Sequence, residues 1–138
     1  MKVIKSKLKK NKILHIVYRR TDFNKRQDII NSENFIQLAS IVLKKNQTFQ
    51  AHKHFWKKIN YKKTIAQESW VVIRGKVKVL FYDTNNKFLY QTILNKGDCS
   101  ITLEGGHNYI SLSNNTQVYE FKSGPYYGQT NDKVFIND

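Results

Sequence analysis

Residues 67–112 read QESWVVIRGKVKVLFYDTNNKFLYQTILNKGDCSITLEGGHNYISL, and this stretch decides the fold. It divides into five short runs rich in Val, Ile, Tyr, Phe and Thr: Gln67–Arg74, Lys76–Tyr82, Phe88–Leu94, Cys99–Leu103 and Asn108–Leu112. β-Branched and aromatic side chains suit a pleated, half-buried surface. Between the runs stand Asp83-Thr84-Asn85-Asn86, Asn95-Lys96-Gly97-Asp98 and Gly105-Gly106. These residue types turn the chain, either by tolerating a left-handed backbone or by bonding to it. Short runs recurring every 8–12 residues or so, with turn chemistry between them, predict an all-β sandwich or barrel.

The pattern extends outward. Upstream, Ile13–Tyr18, Phe35–Leu43 and Gln47–His54 read as strands; downstream, Val118–Lys122 and Val134–Ile136 do. Residues 24–34 are polar, a loop or a single helical turn, and 57–63 form a basic insertion between strands. The Gly124-Pro125-Tyr126-Tyr127 segment reads as a turn capping one end. The expected organisation is one domain over 1–138, with a basic segment at 1–12 and the barrel from about 13 to 138. A fold of this length buries about 68–70% of its unfolded surface, so it needs no disulfides. The single cysteine, Cys99, excludes a disulfide framework and reads as an inert buried thiol. No apolar run approaches the roughly 20 residues of a membrane helix. The opening MKVIKSKLKKNKILHIVYRR is basic, but its apolar stretch Ile13–Tyr18 is shorter than a secretory leader's. The expectation is a soluble cytoplasmic protein.

The net charge of +14 raises the question of nucleic acid. All of it lies in residues 1–63, which hold 17 Lys/Arg against Asp22, Asp28 and Glu33; residues 64–138 hold seven of each sign. Lys outnumbers Arg by 20 to 4, whereas phosphate and base recognition favours the planar fork of Arg. Lys, Asn and Ile together make up 48 residues, the mixture an AT-rich coding bias produces. No nucleic-acid partner is expected. A basic surface attracting an anionic small molecule is.

Three of the four histidines fall in suggestive contexts. In FQAHKH, side chains alternate along a strand, so Gln50, His52 and His54 share a face. Glu68 lies on the strand that follows, and His107 comes after the Gly105-Gly106 turn. A strand-borne His-x-His, a carboxylate and a third His can make a three-histidine, one-carboxylate metal site. Such ligands suit Fe, Mn, Ni or Zn and leave positions open for substrate. Tyr109, two residues beyond His107, shares its face and is a candidate acid–base group, as is Gln50. Trp70 and Val72 share the face of Glu68 and read as barrel filling; His15 has no partner pattern and reads as structural. Neither a Gly-x-Ser-x-Gly nucleophile turn nor a phosphate-binding glycine loop is present.

The spacing resembles the cupin superfamily, a small double-sheet jelly-roll barrel. Its first motif is matched by Asn46, five residues, His52-Lys53-His54, then Glu68, six residues and Gly75, with Asn standing where a left-handed turn residue is needed. Its second motif is matched by Gly97, Gly105 and His107, with Leu103 in place of the usual Pro and His107 one residue early. The 13 residues between His54 and Glu68 are also more than usual. The stretches AQESWVVIRGKV, GDCSITLEGGHNY and VYEFKSGPYYGQTNDKVF resemble a group of small bacterial cupins associated with polysaccharide biosynthesis. The resemblance covers about Ile13 to Phe135.

That resemblance implies a cupin jelly-roll barrel, a homodimer, and one divalent metal ion held by His52, His54, Glu68 and His107. It also implies an isomerase or epimerase acting on a sugar or sugar nucleotide, with Gln50, Tyr109 or bound water moving the proton. Two alternatives stay open. One is a metal-free sugar-nucleotide 3,4-ketoisomerase or epimerase, with histidine as acid and base. The other is a non-catalytic saccharide-binding or regulatory cupin.

Overall fold

A computed structural model describes residues 1–24, 26–55, 64–124 and 127–136. The basic insertion expected at 57–63 lies outside them, as do Pro125 and Tyr126 of the expected capping turn.

Ten strands make up nearly all the regular structure: β1 Lys2–Lys5, β2 Ile13–Tyr18, β3 Gln27–Asp28, β4 Ala39–Ser40, β5 Glu68–Arg74, β6 Lys76–Tyr82, β7 Phe88–Asn95, β8 Cys99–Thr102, β9 Gly106–Ser111 and β10 Gln117–Lys122. The helical elements are a 3-10 turn at Arg20–Asp22 and the one-turn helix α1, Gln129–Asp132. All pairings are antiparallel. One sheet runs β1-β2-β8-β5-β10, a second runs β7-β6-β9, and β3-β4 form a two-residue ladder. The class is the expected all-β one. Of the expected jelly-roll barrel the structure shows two antiparallel sheets: among the described residues no ladder joins the five-stranded sheet to the three-stranded one.

The two sheets face each other across an apolar layer. Ile4, Val17 and Val72 of the first meet Val77, Val79, Phe81 and Leu94 of the second. On the other side of the large sheet, Ile16, Tyr18, Cys99 and Ile101 pack against Ile29, Ile30, Ile36 and Leu38 of the segment that spans β3 and β4. The middle of the large sheet is thus covered on both faces, and all four residues of β8 are buried. CSIT accordingly carries no charge, because a charged side chain on a strand buried on both faces would have no solvent to reach.

Four differences from the sequence reading matter. The segment 1–12 contains β1, an added edge strand. It pairs with β2 from Lys2↔Val17 to Lys5↔Ile13 and is tied down where Asp83 accepts from Ser6 Oγ and Lys7 N, both at 2.7 Å. Strand β2 therefore lies inside the sheet between β1 and β8. The run Phe35–Leu43 forms strand only at Ala39–Ser40. Gln47–His54 and Val134–Ile136 form no strand at all. Each of these last runs alternates or is apolar by composition, yet pairs with no strand among the described residues, and pattern without a partner does not make a sheet.

Candidate functional site

Strands β5 and β9 belong to different sheets, and their inward faces meet. Period-two alternation points Glu68, Trp70 and Val72 of β5 toward the second sheet; it points His107 and Tyr109 of β9 toward the first. Two rungs result. Glu68 Oε1 lies 3.2 Å from His107 Nε2. Trp70 and Tyr109 stack with centroids 4.1 Å apart and planes 6° from parallel. The rungs are linked, because Trp70 Nε1 donates to Glu68 Oε1 at 2.9 Å and the His107 and Tyr109 rings are 5.1 Å apart. On the neighbouring β8, Ser100 Oγ shares a 2.9 Å hydrogen bond with the Tyr109 hydroxyl.

The turn into β9 aims His107. Gly105 adopts φ +86°, and a Cβ there would lie 2.5 Å from the Tyr82 carbonyl oxygen and 3.2 Å from His15 Nε2. Only glycine fits both the conformation and the space. His15 is fully buried beneath this turn. Its Nε2 donates to the Tyr82 carbonyl at 3.0 Å, so its Nδ1 is the acceptor for the Thr102 hydroxyl at 3.1 Å. Burial drives its pKa down to about 4, so the ring is neutral. The expectation of a structural histidine holds.

A cleft of about 480 Å³ opens beside the two rungs, lined by Glu68, Trp70, His107, Tyr109, Glu120 and Lys133 among others. An adjoining cleft of about 430 Å³ shares Glu68, Gly105, Gly106, His107 and Lys133, and adds Asp83, Glu104 and Asp132. The size fits a monosaccharide-scale ligand. Desolvation raises the Glu68 pKa, but the His107 hydrogen bond and charge, the Trp70 donor and the charge of Lys133 outweigh it. Glu68 is held below its ordinary value, as a carboxylate. Burial pushes the Tyr109 phenol up, so it stays protonated and shares its hydrogen bond with Ser100. His107 Nδ1 is buried and has no hydrogen-bond partner.

The expected ligand set divides in two. Glu68, His107 and Tyr109 come together; Gln50, His52 and His54 do not join them. These three are exposed in an extended stretch without strand pairing. There His52 Nδ1 donates to the Gln50 carbonyl at 2.8 Å, and the His52 and His54 rings meet edge-on at 5.2 Å. The strand that was to carry them is the one that does not form. Among the described residues no three His, Cys, Asp or Glu side chains converge. The described residues thus do not bring together the ligand set for the metal that the resemblance implies. The left-handed turn expected at Asn46 is present, with φ 65°.

Three neighbours of the site had no signal in the sequence. Ser100 lies in an apolar run, where a serine most simply reads as filler. Ile136 belongs to the run Val134–Ile136 that reads as a strand, and Lys133 immediately precedes it. No protein-family model, curated protein or solved structure matches this chain.

Proposed function

We propose that this protein is a cupin-like β-sandwich that binds a small sugar-like molecule in the cleft beside Glu68 and His107. In this reading it works as an isomerase or epimerase through that pair, without a metal. The observation that carries the reading is the 3.2 Å contact between a carboxylate of one sheet and an imidazole of the other, in the wall of a cleft of suitable size. His107 Nε2–H donates to the Glu68 carboxylate, which fixes the tautomer and leaves Nδ1 as the basic nitrogen. The carboxylate also stabilises the imidazolium formed when Nδ1 takes a proton. Nδ1 removes a proton from the carbon next to a substrate carbonyl and returns it to the other face or the neighbouring carbon. Such a reaction needs no oxidant and no leaving group. Stacking on Trp70 and the bond to Ser100 make Tyr109 a support for the site. Lys133 is the one Lys or Arg in the lining, beside Glu68, Glu120 and Asp83, while Glu104 and Asp132 are paired with Lys9, Lys12 and Lys122. This balance favours an uncharged sugar over the anionic ligand that the basic first half led us to expect.

The test is exchange in deuterium oxide. Neutral aldoses, ketoses and sugar nucleotides are incubated with the protein, and deuterium at carbon is followed by NMR. Exchange should fall about 10²-fold or more in His107→Ala, the usual worth of a positioned acid–base group. If exchange and ligand binding are the same in the wild type, His107→Ala and Glu68→Gln, the reading is wrong. Binding without exchange, lost in both variants, would leave the saccharide-binding alternative.

A further inference from the structure

The last described residues do something the strands do not. After α1 the chain runs over the mouth of both clefts, and Lys133, Val134 and Ile136 line each of them. Helix α1 is anchored to β10, where Lys122 Nζ meets Asp132 Oδ2 at 3.1 Å, and is closed on itself where Asn131 Nδ2 donates to the Tyr127 carbonyl at 3.1 Å and Lys133 N to the Gln129 carbonyl at 3.2 Å. Beyond Lys133 that anchoring stops. Among the described residues, 134–136 make no hydrogen bond, and Val134 and Phe135 are 85% and 73% exposed. Ile136 seats the segment against the sheet: its Cδ1 occupies the space where a Cβ on Gly106 would stand. Gly106 is the residue immediately before His107.

We propose that Lys133–Ile136 is a displaceable strap over the Glu68–His107 pair, latched by Ile136 in the gap left by Gly106, and that it must lift for a ligand to reach His107. The proposal rests on reading this cleft as the functional site. Two observations carry it. The nitrogen left free for substrate, His107 Nδ1, is shut off from solvent and has no partner. Among the described residues the strap has no hydrogen bond past Lys133 and seats through the partly buried Ile136 side chain, the kind of segment that opens at low cost. The strap also carries Lys133, the one Lys or Arg among the described residues lining these clefts, whose charge helps hold the Glu68 carboxyl below its ordinary pKa.

The test needs no ligand. Diethylpyrocarbonate modifies accessible neutral imidazoles, and peptide mass spectrometry resolves each histidine. In the wild type the exposed His52 and His54 should react quickly, and His15 and His107 slowly. Ile136→Ala removes the latch, and Gly106→Ala fills its seat. Each should speed modification of His107 about tenfold or more, because the open population grows exponentially with the contact removed. His15 should stay slow, which shows that the sandwich is intact, and Phe135→Ala, at an exposed position, should change nothing. His107 reacting as fast as His54 in the wild type would overturn the strap, as would unchanged rates in both latch variants. Loss of the proposed isomerase reading alone would leave these rates untouched, so the two failures are distinguishable.

Discussion

Trp70 of β5 and Tyr109 of β9 lie face to face at 4.1 Å on the rung next to Glu68 and His107, so an aromatic pair sets the spacing of the polar one. Offset aromatic stacking contributes beyond the area it buries. Here it also fixes how far apart the two sheets stand where the carboxylate and the imidazole must meet.

Tyr109→Ala should therefore cost about 2–4 kcal/mol in urea unfolding, toward the low side for an aromatic truncation because the ring is only partly buried. Tyr109→Phe keeps the stack but leaves Ser100 Oγ without its partner, and should cost about 1 kcal/mol. Equal costs for the two variants would show that the stack contributes nothing.

Histidine 15 gives the protein a sensitivity to mild acid. Its folded pKa is about 4 against 6.5 unfolded, so between those values the unfolded chain binds the extra proton. Stability is full above pH 6.5, declines as pH falls toward 4, and loses about 3 kcal/mol from this group in all. Glu68 acts at lower pH: its folded pKa is depressed, so its contribution is lost as pH falls below the ordinary carboxylate value. Urea midpoints at pH 7, 5.5 and 4.5 should fall steadily in the wild type. His15→Gln should be less stable at pH 7 and much flatter across this range. An unchanged slope would mean His15 is not the group that titrates.

The strands around the site were legible because each carries its own pattern. Ile13–Tyr18 and Lys76–Tyr82 match from end to end, and β5, β7, β8, β9 and β10 match to within two residues at either end. Period two along β5 and β9 also placed Glu68 with Trp70, and His107 with Tyr109. What sequence could not supply was pairing. Lys2–Lys5 looks like a solvated basic tail, and it is a strand because β2 offers it an edge and Asp83 holds its end. FQAHKH looks like a strand and is not one, so the ligand set built on it comes apart.

That separation gives a direct prediction for the histidines. His54 and His107 share no partner, so urea-unfolding changes for His54→Ala, His107→Ala and the double variant should add to within about 0.5 kcal/mol. The same holds for metal: after incubation with Fe, Mn, Ni or Zn and dialysis, replacing His54 should not alter any uptake that depends on His107. A bridging ion would make metal content fall alike in both single variants, and would make the stability changes non-additive in its presence. Either result would restore the four-residue site.

Cys99 tests the depth of the large sheet. The thiol lies in β8, with β2 on one side and β5 on the other, and Ile29, Ile30, Ile36 and Leu38 belong to the apolar cluster that covers it. Burial pushes its pKa up to about 12, so the thiolate that reacts with disulfide reagents is scarce even where a reagent could reach it. A thiol reagent such as dithionitrobenzoate should therefore label the native protein only through unfolding, and the rate should rise with urea in step with the unfolded fraction. Gly105→Ala supplies the comparison. It forces a Cβ against the Tyr82 carbonyl at a positive φ, and should lower stability by about 1–3 kcal/mol. In the regime where opening is fast, Cys99 labelling should then accelerate by the factor that the measured stability loss implies, about tenfold for each 1.4 kcal/mol. Rapid labelling of the wild type without denaturant would show that the 29–38 segment does not cover the sheet as described. Accelerated labelling of Gly105→Ala without a matching loss of stability would show that the cover opens locally.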